Sequence, residues 1–105
     1  MEQPNLSYIK ELSGGDASFE EKLINVVKNE LPDEIVEYQN NIEIENYKLA
    51  AENVHKLKHK FGIVGLEKSY QVAIDYEAGL LEGNLDLKEE FEAILQLIHS
   101  FINEL

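Results

Sequence analysis

The 105-residue chain contains no cysteine, which excludes disulfides and thiolate metal sites and is compatible with a reducing compartment. It contains no arginine either: all nine basic residues are lysine, set against 21 acids, for a formal net charge of −12. Such a surface repels DNA and RNA, and the side chain that most often reads bases and forks phosphates is missing. Anionic membranes are disfavoured on the same ground. No segment approaches the roughly 20 apolar residues of a membrane span, and the opening MEQPNLSYIK lacks the basic start and apolar run of a signal peptide. The expectation is a cytoplasmic protein that binds proteins or small ligands, with no nucleic acid and no membrane among its partners.

Strand-like alternation is also scarce, and what replaces it is helical periodicity. Leu6, Ile9 and Leu12 predict a short first helix stopped at Ser13-Gly14-Gly15. Asp16 or Ser18 can cap the next, and Ser18 with Glu21 has capping-box spacing. Phe19, Leu23, Val27, Leu31, Ile35, Tyr38 and Ile42 then recur at steps of four and three, one apolar stripe that stays in phase across Pro32. This predicts a kinked but continuous helix.

A third helix is expected from about Glu45, with Ala50, Val54, Leu57, Phe61 and Val64 inward and Gly65 as its stop. The fourth turns Leu66, Tyr70, Ala73, Ile74, Leu80 and Leu81 inward and ends at Gly83-Asn84. Asp86 with Glu89 forms a second capping-box pattern before a last helix carrying Leu87, Phe91, Ile94, Leu95, Ile98, Ile102 and Leu105. Short turns make sequential neighbours antiparallel. The predicted fold is therefore all-α, an antiparallel up-and-down four-helix bundle with a short extra N-terminal helix, in a single domain spanning 1–105.

Against this acidic background, VHKLKHKFGIVG at 54–65 gathers His55, Lys56, Lys58, His59 and Lys60 into six positions. On a wheel of about 100° per residue, Val54, Leu57, Phe61, Ala50 and Val64 fall roughly opposite His55. The imidazole is therefore expected in solvent, with Lys58 one turn on and with Ala51, Glu52, His59 and Gly62 around it as a surface for a partner. An ammonium at 58 can pair with a phosphoryl group carried by the imidazole. His55 and His59 also have the i, i+4 spacing of a helical metal pair, but three lysines repel a cation and no HExxH arrangement occurs, so no metal site is expected. Glu77 falls within the apolar stripe of the fourth helix, where a carboxylate needs a backbone or lysine partner; no chemistry is assigned to it. His99 borders the stripe of the last helix and reads as structural.

His55-Lys56-Leu57-Lys58, with Gly65 ten residues after the histidine, resembles the H-x-L-K…G signature of the histidine-containing phosphotransfer (HPt) family. The resemblance extends over most of the chain, through Gly15-Asp16 with Phe19, the mid-helix Pro32, the histidine helix and Glu77 in the helix that follows. It implies a four-helix bundle whose exposed histidine carries phosphoryl groups in two-component phosphorelays. By the resemblance, His55 is the phosphoacceptor, Lys58 stabilises the phosphoryl group, and Gly65 helps end the helix. It further implies a monomeric phosphocarrier, not an enzyme in its own right, with response-regulator receiver domains or a hybrid histidine kinase as partners. No cofactor is expected in this chain, the Mg²⁺ coming from the receiver. One position departs from the family, which usually has a small residue after the lysine, where this chain has His59. A different class of function is open beside it: a helical adaptor or inhibitor that docks on a receiver or kinase without accepting phosphate.

Overall fold

The computed structural model describes residues 2–105. Five helices follow one another: α1 (Ser7–Ser13), α2 (Ala17–Glu43), α3 (Tyr47–Ile63), α4 (Glu67–Leu81) and α5 (Lys88–Asn103), with no strand among the described residues. Helix α3 packs on both α2 and α4, and α5 closes the ring against α2 and α4, while α1 lies on α2. The 27 residues of α2 set the 44 Å long axis of the molecule.

The helix ends follow from local chemistry. Asp16 caps α2 through one carboxylate oxygen, which accepts from the amides of Ser18 and Phe19 at 3.0 and 3.2 Å, so the Ser18–Glu21 alternative is not used. Helix α2 runs unbroken through Pro32. It closes on Glu45, whose φ of 59° is the left-handed turn, so α3 starts two residues later than Glu45, capped by Asn46. Helix α3 ends in a Schellman turn: the Leu66 amide reaches the Phe61 carbonyl at 2.9 Å and Gly65 takes φ +77°. The Asp86–Glu89 capping box does not form. Helix α5 begins at Lys88 with no side-chain cap, because the Asp86 amide is instead turned toward the Asn84 side chain at 2.8 Å.

The core is one cluster contributed by α2 to α5. Phe91 is its hub, with its ring 5.3 Å from Tyr38, 5.6 Å from Phe61 and 5.0 Å from Tyr76. Two hydroxyls lie inside. Tyr38 donates to Glu92 at 3.0 Å and so has no proton left for Tyr76, whose hydroxyl, 2.7 Å away, must donate to Tyr38. No buried side-chain polar atom among the described residues lacks a partner.

The inward residues expected for α3 are all fully buried. In α4 the stripe is displaced: Leu66, Ser69, Ala73, Tyr76 and Leu80 are buried, while Ile74 and Leu81 stand 37% and 63% exposed. The large buried Tyr76 sets this phase, and Ile74 and Leu81, each one residue after a core position, are turned about 100° away. Phe19, Leu12 and Leu105 likewise sit at element ends and remain largely exposed.

The N-terminal segment is fastened to the α3–α4 turn. Helix α4 has no cap of its own, and the Glu2 carboxylate supplies one by accepting from the amides of Lys68 and Ser69 at 2.9 and 3.0 Å and from the Ser69 hydroxyl at 3.2 Å. The Asn5 amide donates to the Val64 carbonyl at 2.8 Å beside it.

Candidate functional site

Because Val54 and Leu57 are buried to their full extent, the residue between them and opposite to them on the helix must face water. His55 does so, with its side chain 53% exposed. Its Nδ1 is not free. The two carboxylate oxygens of Glu77, reaching over from α4, lie 3.2 and 3.3 Å away, and the Lys58 Nζ lies at 3.2 Å. Lys58 is in turn 3.6 Å from the same carboxylate, and its ammonium stands 5.7 Å above the Tyr70 ring.

The two neighbours of Nδ1 ask for opposite tautomers. A bare Nδ1 would accept from Lys58 but set its lone pair against those of the carboxylate. A protonated Nδ1 donates to Glu77, a charge-assisted bond, and leaves Lys58 paired with Glu77 as well. The second arrangement keeps the charge-assisted bond and the Lys58–Glu77 pair, although it sets the Lys58 ammonium 3.2 Å from an N–H; the two contacts to the carboxylate outweigh that one, so we assign the proton to Nδ1. The lone pair then lies on Nε2, which has no hydrogen-bond partner among the described residues. Chemically the cluster is an outward imidazole held in place by a carboxylate, with a cation alongside.

Glu77 is the residue that sequence reasoning undervalued. The expected lysine partner is present, but the side chain is 26% exposed and lies on the α4 flank turned to α3, not in the buried stripe. The signal for it was the phase of α4: with Tyr76 and Leu80 in the core, position 77 points toward the neighbouring helix.

The other positions expected around His55 are distributed as follows. Ala51 is only 3% exposed and forms the floor of a recess, about 420 Å³, between α3 and α4, whose sides include Glu52, His55, Lys56, Glu77 and Leu81. His59 is exposed, its ring edge-on to that of His55 at 5.2 Å, and it faces the other way, toward Glu30, Asp33 and Glu34 of α2. Lys60 is held on that flank by Glu30 at 3.3 Å and Glu34 at 3.0 Å. Gly62 faces the Tyr70 ring; a Cβ there would meet it at 3.7 Å. Gly65 ends the helix, as expected. His99 is half-buried in the groove between α2 and α5, remote in the fold from the α3–α4 face.

Among the described residues, no three His, Cys, Asp or Glu side chains converge into a group able to hold a metal ion. No described helix is long and apolar enough to cross a membrane. Comparison with family models, with curated proteins and with solved structures found no match for this chain.

Proposed function

We propose that this chain is a phosphocarrier of the histidine phosphotransfer type, accepting a phosphoryl group from the aspartyl phosphate of a receiver domain and passing it to another receiver. One observation carries the reading: His55 is outward and its Nδ1 is occupied by Glu77, which leaves Nε2 as the candidate nucleophile, with Lys58 on the Nδ1 side of the ring. The H-x-L-K…G resemblance agrees with it.

In the step, the Nε2 lone pair attacks phosphorus in line. The N–P bond forms as the P–O bond to the aspartate breaks, and the carboxylate departs with the bonding electrons. The ring gains positive charge as this happens, and the carboxylate of Glu77, hydrogen-bonded through Nδ1–H, offsets it. Lys58, with 11% of its side chain exposed, is close enough to turn its ammonium from Glu77 to the phosphoryl oxygens. The Mg²⁺ that neutralises the transferring group belongs to the receiver. Returning the phosphoryl group to a second aspartate reverses each of these movements.

The test is incubation with phosphorylated receivers, followed by intact mass for an acid-labile, base-stable adduct, beside His55→Ala and His59→Gly variants. Transfer to the wild type and none to His55→Ala is expected. Receivers that bind without transferring would mean an adaptor, with the edge-on His59 obstructing access, and His59→Gly would then restore transfer.

A further inference from the structure

Helix α3 carries a second histidine beside the first, and the phosphotransfer reading gives it no task. We propose that His55 and His59 together bind a borderline divalent cation such as Zn²⁺, with water in the remaining positions, and that an ion there withholds His55 from phosphoryl transfer. The cation site stands on the two rings and their surroundings; only its regulatory consequence rests on the phosphocarrier reading.

Three observations converge. The histidines are four residues apart on one helix, the spacing at which a helix presents two imidazoles to one ion. Both are exposed, and their ring centres lie 5.2 Å apart. Two imidazoles on one tetrahedral ion, at metal–nitrogen bonds of about 2.1 Å, hold their centres about 5 Å apart, so the rings already stand at a chelating separation. His59 makes no hydrogen bond or ion pair among the described residues, which leaves its ring free to turn toward an ion.

Second, Glu77 steadies His55 in the way a carboxylate steadies a metal-bound histidine. It takes the Nδ1 proton at 3.2 and 3.3 Å, which fixes the ring and assigns coordination to Nε2.

Third, the fold cancels the repulsion that the lysines carry in the sequence. Lys58 is paired with Glu77, and Lys60 with both Glu30 and Glu34. Among the other charges lining the recesses on the two sides of the histidines, Lys48 and Lys56 are balanced by Glu52 and Asp33. Five acids thus stand against four lysines around the pair, and a cation meets a slightly acidic surface. Imidazole and water suit Zn²⁺ or Cu²⁺, whereas Mg²⁺ and Ca²⁺ take oxygen ligands. No third side chain of this kind converges on the two rings, so the ion is exchangeable and its other positions are open. The Nε2 lone pair can hold the ion or attack phosphorus, and cannot do both.

Calorimetry of the metal-free chain with Zn²⁺, and with Mg²⁺ for comparison, reads the site without any receiver. One Zn²⁺ per chain and no Mg²⁺ binding are expected. His55→Ala and His59→Ala should each weaken Zn²⁺ by at least about tenfold, and Glu77→Ala by about 10- to 100-fold. Asp33→Asn, which keeps both rings, should change little. Side-chain ¹⁵N signals of both histidines should move together as Zn²⁺ is added.

Equal Zn²⁺ affinity in His59→Ala and wild type overturns the site. So does one ion per two chains, or binding lost in Asp33→Asn and kept in His59→Ala. With a phosphorylated receiver, bound Zn²⁺ should suppress phosphoryl uptake by the wild type, and uptake by His59→Ala should not respond to the same Zn²⁺ concentration, which excludes an effect on the receiver. Wild-type uptake that survives saturating Zn²⁺ overturns the regulatory step. If Zn²⁺ binds the histidine pair but no receiver transfers phosphate, the cation site stands and the carrier reading falls.

Discussion

Glu77 holds Nδ1 of His55 from a different helix, 22 residues further along the chain, with both carboxylate oxygens within 3.3 Å of the ring nitrogen. The consequence is a choice of tautomer, and it can be tested by separating charge from hydrogen bonding. Glu77→Gln keeps an acceptor for Nδ1–H, so phosphoryl uptake should stay within a few-fold of the wild type. Glu77→Ala removes it, frees Lys58 to donate to Nδ1, and should slow uptake by about 10- to 100-fold, the usual effect of losing an orienting partner of a functional histidine. Long-range ¹H–¹⁵N correlations should show Nδ1–H in the wild type and in Glu77→Gln, and a shift toward Nε2–H in Glu77→Ala. Unchanged uptake in Glu77→Ala would remove the positioning role.

The buried hydroxyl pair makes a ranked prediction. Tyr38→Phe leaves the Tyr76 hydroxyl without its acceptor and takes the donor from Glu92, and should cost about 1–3 kcal/mol. Tyr76→Phe removes only the outer donor, leaves the Tyr38–Glu92 bond intact, and should cost less. Thermal melts of both single variants and the double variant would check the order, which the direction of the hydrogen bonds requires.

The same pair governs behaviour at high pH. Burial, the hydrogen bond with Tyr76 and the nearby Glu92 push the Tyr38 hydroxyl far above the ordinary phenol range, and burial raises Tyr76 as well. Groups that resist ionisation in the folded state contribute stability below the unfolded value of about 10, and that contribution shrinks as pH rises past it. Ultraviolet titration should therefore find Tyr38 and Tyr76 silent until the chain unfolds, apart from the other three of the five tyrosines. Smooth titration of all five with the helix signal intact would contradict the buried network.

Glu2 should act at the opposite end of the scale. Burial raises its carboxyl, but the amides of Lys68 and Ser69, the Ser69 hydroxyl and the Lys68 charge outweigh this and hold it below the ordinary glutamate value. A depressed acid stabilises the fold above its unfolded pKa, about 4.3, and loses that effect as pH falls through the folded value. Glu2→Gln should be about 0.5–1 kcal/mol less stable near neutrality, the low half of the range for a helix cap. Denaturant melts should show the gap closing below about pH 4.

Two glycines near the site should respond with opposite sign. At Gly65, with φ +77°, an added Cβ would come 2.7 Å from the Asn5 side chain, so Gly65→Ala combines backbone strain with a clash. A loss of about 1–2 kcal/mol is expected. At Gly62, inside α3, the added methyl meets only Tyr70 at ordinary contact distance, and alanine is the better helix former. Gly62→Ala should gain up to about 1 kcal/mol. Paired urea melts decide this directly.

What could be read from the sequence was whatever a local period determines. Val54, Leu57 and Phe61 define one side of α3, and from them the outward direction of His55 follows without knowing any neighbour. The helix stops at Gly14, Gly65 and Gly83 were likewise local. The errors arose where a tertiary partner decides. Ile74 and Leu81 resemble core residues until Tyr76 is seen to take the core, and Asp86 looks like a cap until Asn84 claims its amide. Glu77 could not be matched to His55 because nothing local reports the rotation of α4 against α3. Nor could the Glu2 cap be read, since it joins residues 66 and 67 positions apart.

Helix α3 divides its labour by side. Its inward residues, from Ala50 through Val54, Leu57 and Phe61, have no exposed area at all, while His55, Lys56, Glu52 and Lys48 contribute little to the core beneath them. Core packing and surface charge are thus written on largely separate residues of one element, Ala51 alone belonging both to the core and to the recess beside His55. The outward set can be rewritten, by drift or by design, with little draw on the free energy of folding, so the charge this face presents is free to change while the scaffold stays the same.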